Sequence, residues 1–252
     1  MISNIVLLCG AMSLVRTHPP IHANIHESVV NLVNDLDSKL TSNPTLKITK
    51  ALADLTVDAG DHVTLRCEAL TTPSAVIYWE RNGVRVQGDK EMNVREKMLN
   101  IGSSIVESGI VASILSIPCV QTHDSGEYSC IAFNGHQTAT TSAELLVEGS
   151  SKCKSHRRSP PKINLWTDSR FEMEGNSATL LCRSSEFVDR VWTYDDNVIT
   201  SDGERFIIEA NGDLLIKDIT WSDMGTYACT ATNEHGEDKV DTFLYPTKKK
   251  TF

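Results

Sequence analysis

Short runs of alternating apolar and polar residues recur along most of this chain. Val63, Leu65 and Cys67 alternate with polar neighbours and predict a half-buried strand, entered through the turn Asp58-Ala-Gly60-Asp. Val76-Ile-Tyr-Trp79-Glu predicts a second strand, closed by the tight turn Arg81-Asn82-Gly83. Ile114-Leu115-Ser-Ile117 and Thr138 to Val147 read as two more. Further on, Ile207-Ile208 and Leu214-Leu-Ile216 flank the turn Ala210-Asn211-Gly212-Asp213. Many short strands punctuated by Gly- and Asn-bearing turns make an all-β chain. Two stretches break the alternation. Ile5 to Val15 is an apolar run too short to span a bilayer, placed where the core of a secretory signal lies. Val29, Val33, Leu36 and Leu40 recur at helical spacing with Asp, Asn and Lys between them. That spacing predicts a short amphipathic helix ended before Asn43-Pro44. A pro-segment or flexible arm is the competing reading of the same residues.

The strands carry one constellation twice. The first reads Cys67, Trp79, then Asp124-Ser-Gly126-Glu-Tyr128-Ser-Cys130, and the second reads Cys182, Trp192, then Asp223-Met-Gly225-Thr-Tyr227-Ala-Cys229. Each residue type meets one need of an immunoglobulin sandwich. A disulfide joins strands B and F through the core, a Trp on strand C covers it, and a Tyr at the E–F corner turns its hydroxyl back onto the backbone. We therefore expect two tandem immunoglobulin-like β-sandwiches of the intermediate type, over residues 46–149 and 161–247, with disulfides Cys67–Cys130 and Cys182–Cys229. A signal peptide (residues 1–17), an N-terminal segment (18–45), a basic linker (150–160) and a basic tail (248–252) complete the chain. The first cysteine pair is spaced widely enough to leave room for extra edge strands or a long C′–E region across Val84 to Gly109.

Cysteine and charge then narrow the function. The chain has 252 residues and seven Cys, and Cys9 falls in the leader. Six Cys remain; disulfides persist only in oxidising surroundings, so a secreted, extracellular protein is expected. Cys119, near the E–F turn, and Cys153, past strand G, belong at the same end of the first sandwich. An intramolecular bridge between them is geometrically reasonable, with free thiols or an intermolecular bridge as alternatives. A net charge of −9 argues against nucleic-acid binding, which needs a basic face. No zinc-ligand spacing, phosphate loop or nucleophile elbow occurs, so neither an enzyme nor a cofactor is expected. Asp124 and Asp223 look like candidate acids, yet each precedes the Gly of a tyrosine corner and is expected to pair with an Arg, Arg95 and Arg205 respectively. Lys152, Lys154, Arg157 and Arg158 form the strongest basic cluster, open to three readings: a sulfated-glycan (heparan sulfate) contact, a dibasic processing site, or a solvated linker. Trp166 and Trp221 are not needed by either core. Large aromatics outside a core are favoured interface anchors, so both are candidate partner-binding residues, with burial between the domains as the alternative.

Asn211-Gly-Asp-Leu-Leu-Ile216, Trp221-Ser-Asp-Met-Gly-Thr-Tyr-Ala-Cys229 and Asp241-Thr-Phe-Leu-Tyr-Pro246 resemble the secreted two-immunoglobulin-domain proteins of invertebrates. Those stretches look like the insect insulin-like-peptide-binding member. The chain length, the extra cysteine pair and the lack of a second hydrophobic run look closer to the nematode ZIG family. That resemblance implies a non-enzymatic neuronal protein that maintains axon position in the ventral nerve cord through extracellular or cell-surface protein contacts. The alternative it implies is a soluble carrier that sequesters insulin-like peptides. No membrane span is expected.

Overall fold

The structure, a computed structural model, describes residues 44–153, 159–184 and 188–248. The expected leader, the expected N-terminal helix and residues 154–158 of the basic linker lie outside these residues. The first sandwich comprises β1 (Thr45–Lys50), β2 (Leu55–Asp58), β3 (Val63–Thr72), β4 (Val76–Arg81), β5 (Val84–Gln87), a short helix α1 (Val94–Leu99), β6 (Ser108–Ile117), β7 (Gly126–Phe133) and β8 (Thr138–Glu148). The second comprises β9 (Ile163–Met173), β10 (Ala178–Leu180), β11 (Cys182–Ser184), β12 (Asp189–Tyr194), β13 (Asn197–Val198), β14 (Phe206–Ile208), β15 (Leu214–Ile216), β16 (Gly225–Asn233) and β17 (Gly236–Thr247).

In the first sandwich a sheet ordered β2-β8-β7-β4-β5 faces β1, β3 and β6. The alternation along β3 buries Val63, Leu65, Cys67 and Ala69 and turns Thr64, Arg66 and Leu70 outward. The hairpin β4–β5 turns through Asn82 and Gly83, both at positive φ (49° and 75°), as a two-residue turn matching strand twist requires. The disulfides Cys67–Cys130 and Cys182–Cys229 cross the two cores beneath fully buried Trp79 and Trp192. The Tyr128 hydroxyl donates to the Asp124 carbonyl (2.9 Å) and the Tyr227 hydroxyl to the Asp223 carbonyl (3.1 Å). A third disulfide joins Cys119 to Cys153, with their Cα atoms 5.9 Å apart, and ties the start of the linker to the base of the first sandwich.

The two sandwiches share a sheet. β6 pairs with β3 on one edge and with β9 of the second sandwich on the other, antiparallel from Ser108↔Phe171 to Ser113↔Leu165. In a sandwich of this class a D strand would lie beside strand E, the place β9 takes here. β9's far edge pairs first with β11 and then, running parallel, with β17. The result is a nine-stranded sheet, ordered β1-β3-β6-β9-β17-β16-β12-β13 with β11 off the path. The chain can approach this closely at Gly109 because a Cβ there would overlap the Ser169 carbonyl. A small sheet, β10-β15-β14, closes the second sandwich.

Helix α1 fills the stretch where further edge strands were an option. Asn93 caps it, accepting from the Glu96 amide at 3.0 Å. Its polar side chains then enter the second domain. Glu96 accepts from the Thr179 amide (2.8 Å) and from Arg170, and Arg170 also donates to Glu172 (3.0 Å). All three charged groups are almost fully buried. Glu172 in turn accepts from the amides of Val106 and Glu107, each at 3.1 Å, while Asn100 exchanges two 2.8 Å bonds with the Ser177 backbone. Apolar packing crosses the boundary as well, since Leu165 and Leu181 join the core of the first sandwich. Arg95 therefore does not pair with Asp124. It lies on α1 and reaches Glu209 at 3.1 Å, and Arg81 of β4 takes Asp124 instead at 3.4 Å. Arg205 does pair with Asp223.

Removing the Arg170 guanidinium from between two buried carboxylates leaves charge uncompensated, so Arg170→Met should cost about 3–5 kcal/mol, read by urea unfolding. Burial, reinforced by the Glu172 carboxylate, raises the Glu96 carboxyl above its ordinary value of 4.5 despite Arg170 and Thr179. A raised folded-state value means the fold binds the proton more tightly, so this contribution is present at low pH and is lost as pH rises through that value. Compared with Glu96→Gln, which cannot titrate, the native chain should lose relative stability from pH 4.5 up to the raised folded-state value. Unfolding curves across that range measure the difference.

Candidate binding surface

The shared sheet places residues from both sandwiches in one row on its outer face. Directly opposed residues in adjacent strands point to the same side, and the register runs Lys47↔Leu70, Leu70↔Ile110, Ile110↔Ser169, Ser169↔Phe243, Phe243↔Thr226. The row crosses β1, β3, β6, β9, β17 and β16, about 24 Å at the usual strand spacing. The adjoining row holds Ser108, Phe171 and Tyr245. Leu70, Phe171 and Phe243 are among the large exposed apolar side chains, Phe243 at 42%.

Aromatic contacts extend the patch to the E–F corner of the second sandwich. Phe171 and Tyr245 lie 5.7 Å apart between ring centroids. Trp221 meets Tyr245 edge-on at 5.8 Å, and the Lys248 ammonium stands 5.0 Å above the indole. Trp221 opens a short 3₁₀ turn, Trp221–Asp223, held because Asp223 accepts from the Thr220 amide at 2.7 Å and Glu174 from the Trp221 amide at 2.7 Å. The indole is thus fixed from below and 41% exposed. An apolar centre with rigid aromatic anchors and charged residues such as Lys47 and Arg66 around it has the anatomy of a protein-binding face.

Trp166 has a different place. It sits on β9 opposite Ala112 and Cys182, only 7% exposed within the core of the second sandwich, with the Arg66 guanidinium 5.2 Å over its ring. It joins the domains and is not available to a partner. Of the basic cluster, Lys152 is exposed, whereas Lys154, Arg157 and Arg158 lie outside the described residues, and the heparan sulfate expectation gains no support. A second concavity, a cleft of about 760 Å³ lined by Gln87, Asp89, Glu91, Arg183, Arg190 and Asn211 among others, holds charges of both signs. Arg183 in it is already committed to Asp213 at 2.8 Å and to the Glu91 carbonyl at 3.1 Å. Among the described residues no group of three or more His, Cys, Asp or Glu could hold a metal ion, and no helix is long and apolar enough to cross a membrane.

Residues 43–134 match the immunoglobulin domain family and residues 161–245 the immunoglobulin I-set domain. The Caenorhabditis elegans Zwei Ig domain protein zig-4 is 49% identical over 249 residues, covering 98% of this chain and 98% of its own length; zig-3 is 49% identical over 247 residues, covering 97% and 98%. The chain belongs to the Zwei Ig domain family. Among solved structures, the Zwei Ig chain is similar to Drosophila neural/ectodermal development factor IMP-L2, with a TM-score of 0.64 and 25% identity over 82% of this chain and 97% of that one. This Zwei Ig protein is accordingly a two-immunoglobulin-domain extracellular binding protein, and its three disulfides suit an oxidising compartment. Leu70, Phe171, Phe243 and Tyr245 escaped the sequence reading. Each sits at an outward position of an alternating strand; the β9–β17 pairing gathers the three aromatics, and the β6–β9 register brings Leu70 into line with them.

Because Trp166 is buried and Trp221 is not, truncating each should separate their roles. Trp166→Ala should cost about 3–5 kcal/mol, while Trp221→Ala should stay within about 1 kcal/mol of the native chain, both read by chemical denaturation.

Proposed function

We propose that this protein acts outside the cell by binding a protein partner on the outer face of its shared sheet, and that in the nervous system this contact holds axons in position in the ventral nerve cord. One observation carries the binding reading: Leu70, Phe171, Phe243 and Trp221 are exposed, half-buried Ile110 and Tyr245 lie between them, and all stand on one strand-built face across both domains. A face built on hydrogen-bonded strands loses little conformational freedom when a partner lands on it, which favours affinity. Family membership supports the neuronal setting. So does the designation of IMP-L2, the structural relative, as a neural/ectodermal development factor.

A second reading has its own support. The likeness to IMP-L2 spans both sandwiches, and the stretches that resemble the insulin-like-peptide-binding member include Trp221, Phe243 and Tyr245 of the face. In this reading the apolar row sequesters an insulin-like peptide.

Phe243→Asp places a charge among the aromatic residues of the face, at an outward position away from the core. Titration of an insulin-like peptide panel by calorimetry should give micromolar or tighter binding that Phe243→Asp weakens at least about tenfold, or 1.4 kcal/mol. No binding by any peptide removes the carrier reading. For the neuronal reading, animals lacking the protein should lose axon position after development, rescued by the native chain and not by Phe243→Asp. Axons that stay in place through adulthood without the protein overturn it.

A further inference from the structure

The chain enters the shared sheet beside the apolar face. β1 begins at Thr45, opposite Thr72. The next pairing inward, Thr71↔Gly109, puts Thr72 alongside Ser108, whose row continues to Phe171 and Tyr245. Immediately before β1, the sequence places Val29, Val33, Leu36 and Leu40 in one helical stripe. Such a stripe needs a surface to cover it, because a helix this short is marginal in water on its own. Lengths agree as well. Residues 28–40 as a helix are about 20 Å long, and the face from β1 to β17 is about 19 Å wide. Residues 41–44 reach up to about 13 Å, enough to double back over the roughly 10 Å that separates packed layers. Charge is complementary, since Asp35 and Asp37 outweigh Lys39 in the segment and Lys47 and Lys248 flank the patch.

We propose that residues 28–40 dock in cis on the outer face, over Leu70, Ile110, Phe171 and Phe243, so that a partner binds by displacing the chain's own N-terminal segment. The displacement rests on the proposed function; the docking does not. The segment then acts as an internal competitor that lowers apparent affinity and excludes weak, non-specific apolar ligands.

Hydrogen–deuterium exchange on the full secreted chain tests it. Amides of residues 29–40 should exchange at least about tenfold more slowly than unstructured chain, with protection lost in both Phe243→Asp and Leu36→Asp. Leu36 lies outside both sandwiches, so that variant stays informative if Phe243→Asp misfolds. Trp79, Trp166 and Trp192 are buried and Trp221 is exposed, so acrylamide quenching of tryptophan fluorescence reports chiefly on the patch and should rise in Leu36→Asp. Exchange at the unstructured rate in the native chain, or protection unchanged by Phe243→Asp, overturns the docking. An insulin-like peptide that binds should bind more tightly to Leu36→Asp, and equal affinity overturns displacement. Protection without binding of any peptide counts against the carrier reading alone and leaves the docking standing.

Discussion

From Ser108 to Ser113, β6 exchanges backbone hydrogen bonds with β9 across a domain boundary, and the ladder fixes the relation between domains more tightly than a linker could. Side-chain interfaces slide and repack, whereas a strand register moves only in steps that reverse every side chain. Because the register is set, Phe171 and Phe243 of the second sandwich fall in line with Leu70 and Ile110 of the first. That alignment extends the aromatic cluster of the second domain, Phe171, Phe243, Tyr245 and Trp221, onto Leu70 and Ile110 of the first. The first domain alone would present only scattered apolar residues of the kind any soluble protein shows.

The ladder also explains why charge is buried at the boundary. With β9 beside β6, Arg170 points toward the space a D strand and its neighbours would fill. Helix α1 supplies Glu96 there, and the turn before β6 supplies the amides that Glu172 accepts. An isolated ion pair in such a place contributes little net stability. These groups draw hydrogen bonds from four separate segments at once, which makes the arrangement difficult to form in any other register. The Trp79 indole donates to Ser113 (2.8 Å), whose hydroxyl donates to the Asn164 carbonyl of β9 (2.5 Å). A core tryptophan of one domain is thus tied to the backbone of the next.

The sandwiches were legible in the sequence because their constraints are local in type: a disulfide pair, the indole over it, and a tyrosine four residues from the carbonyl it meets. Arg205 and Asp223 could be matched for the same reason. Arg95 pairs elsewhere than expected, and of the two readings of Trp166 the structure shows burial between the domains. Each acts across the boundary, and single-chain periodicity records which face of a strand is apolar without recording what lies beside its edge. Two signals were nevertheless present. Asn93-Val-Arg-Glu96 is a helix-start pattern inside the stretch long enough for an edge strand. Gly109 stands inside a strand, which often marks a close backbone approach. Together they point away from a D strand, though not to β9 as its replacement.

Borrowing a strand has a cost in time. The first sandwich is complete on the nascent chain once β8 has emerged, yet β6 keeps an open edge until residues 163–173 follow. At ordinary synthesis rates that is about 1–5 s. Throughout that interval the unpaired hydrogen-bonding groups of Ser108 to Ser113 can recruit any passing strand. The same sharing that lets the two domains present one surface makes them poor modules, since neither can be lifted into another protein without exposing the edge that the other was made to cover.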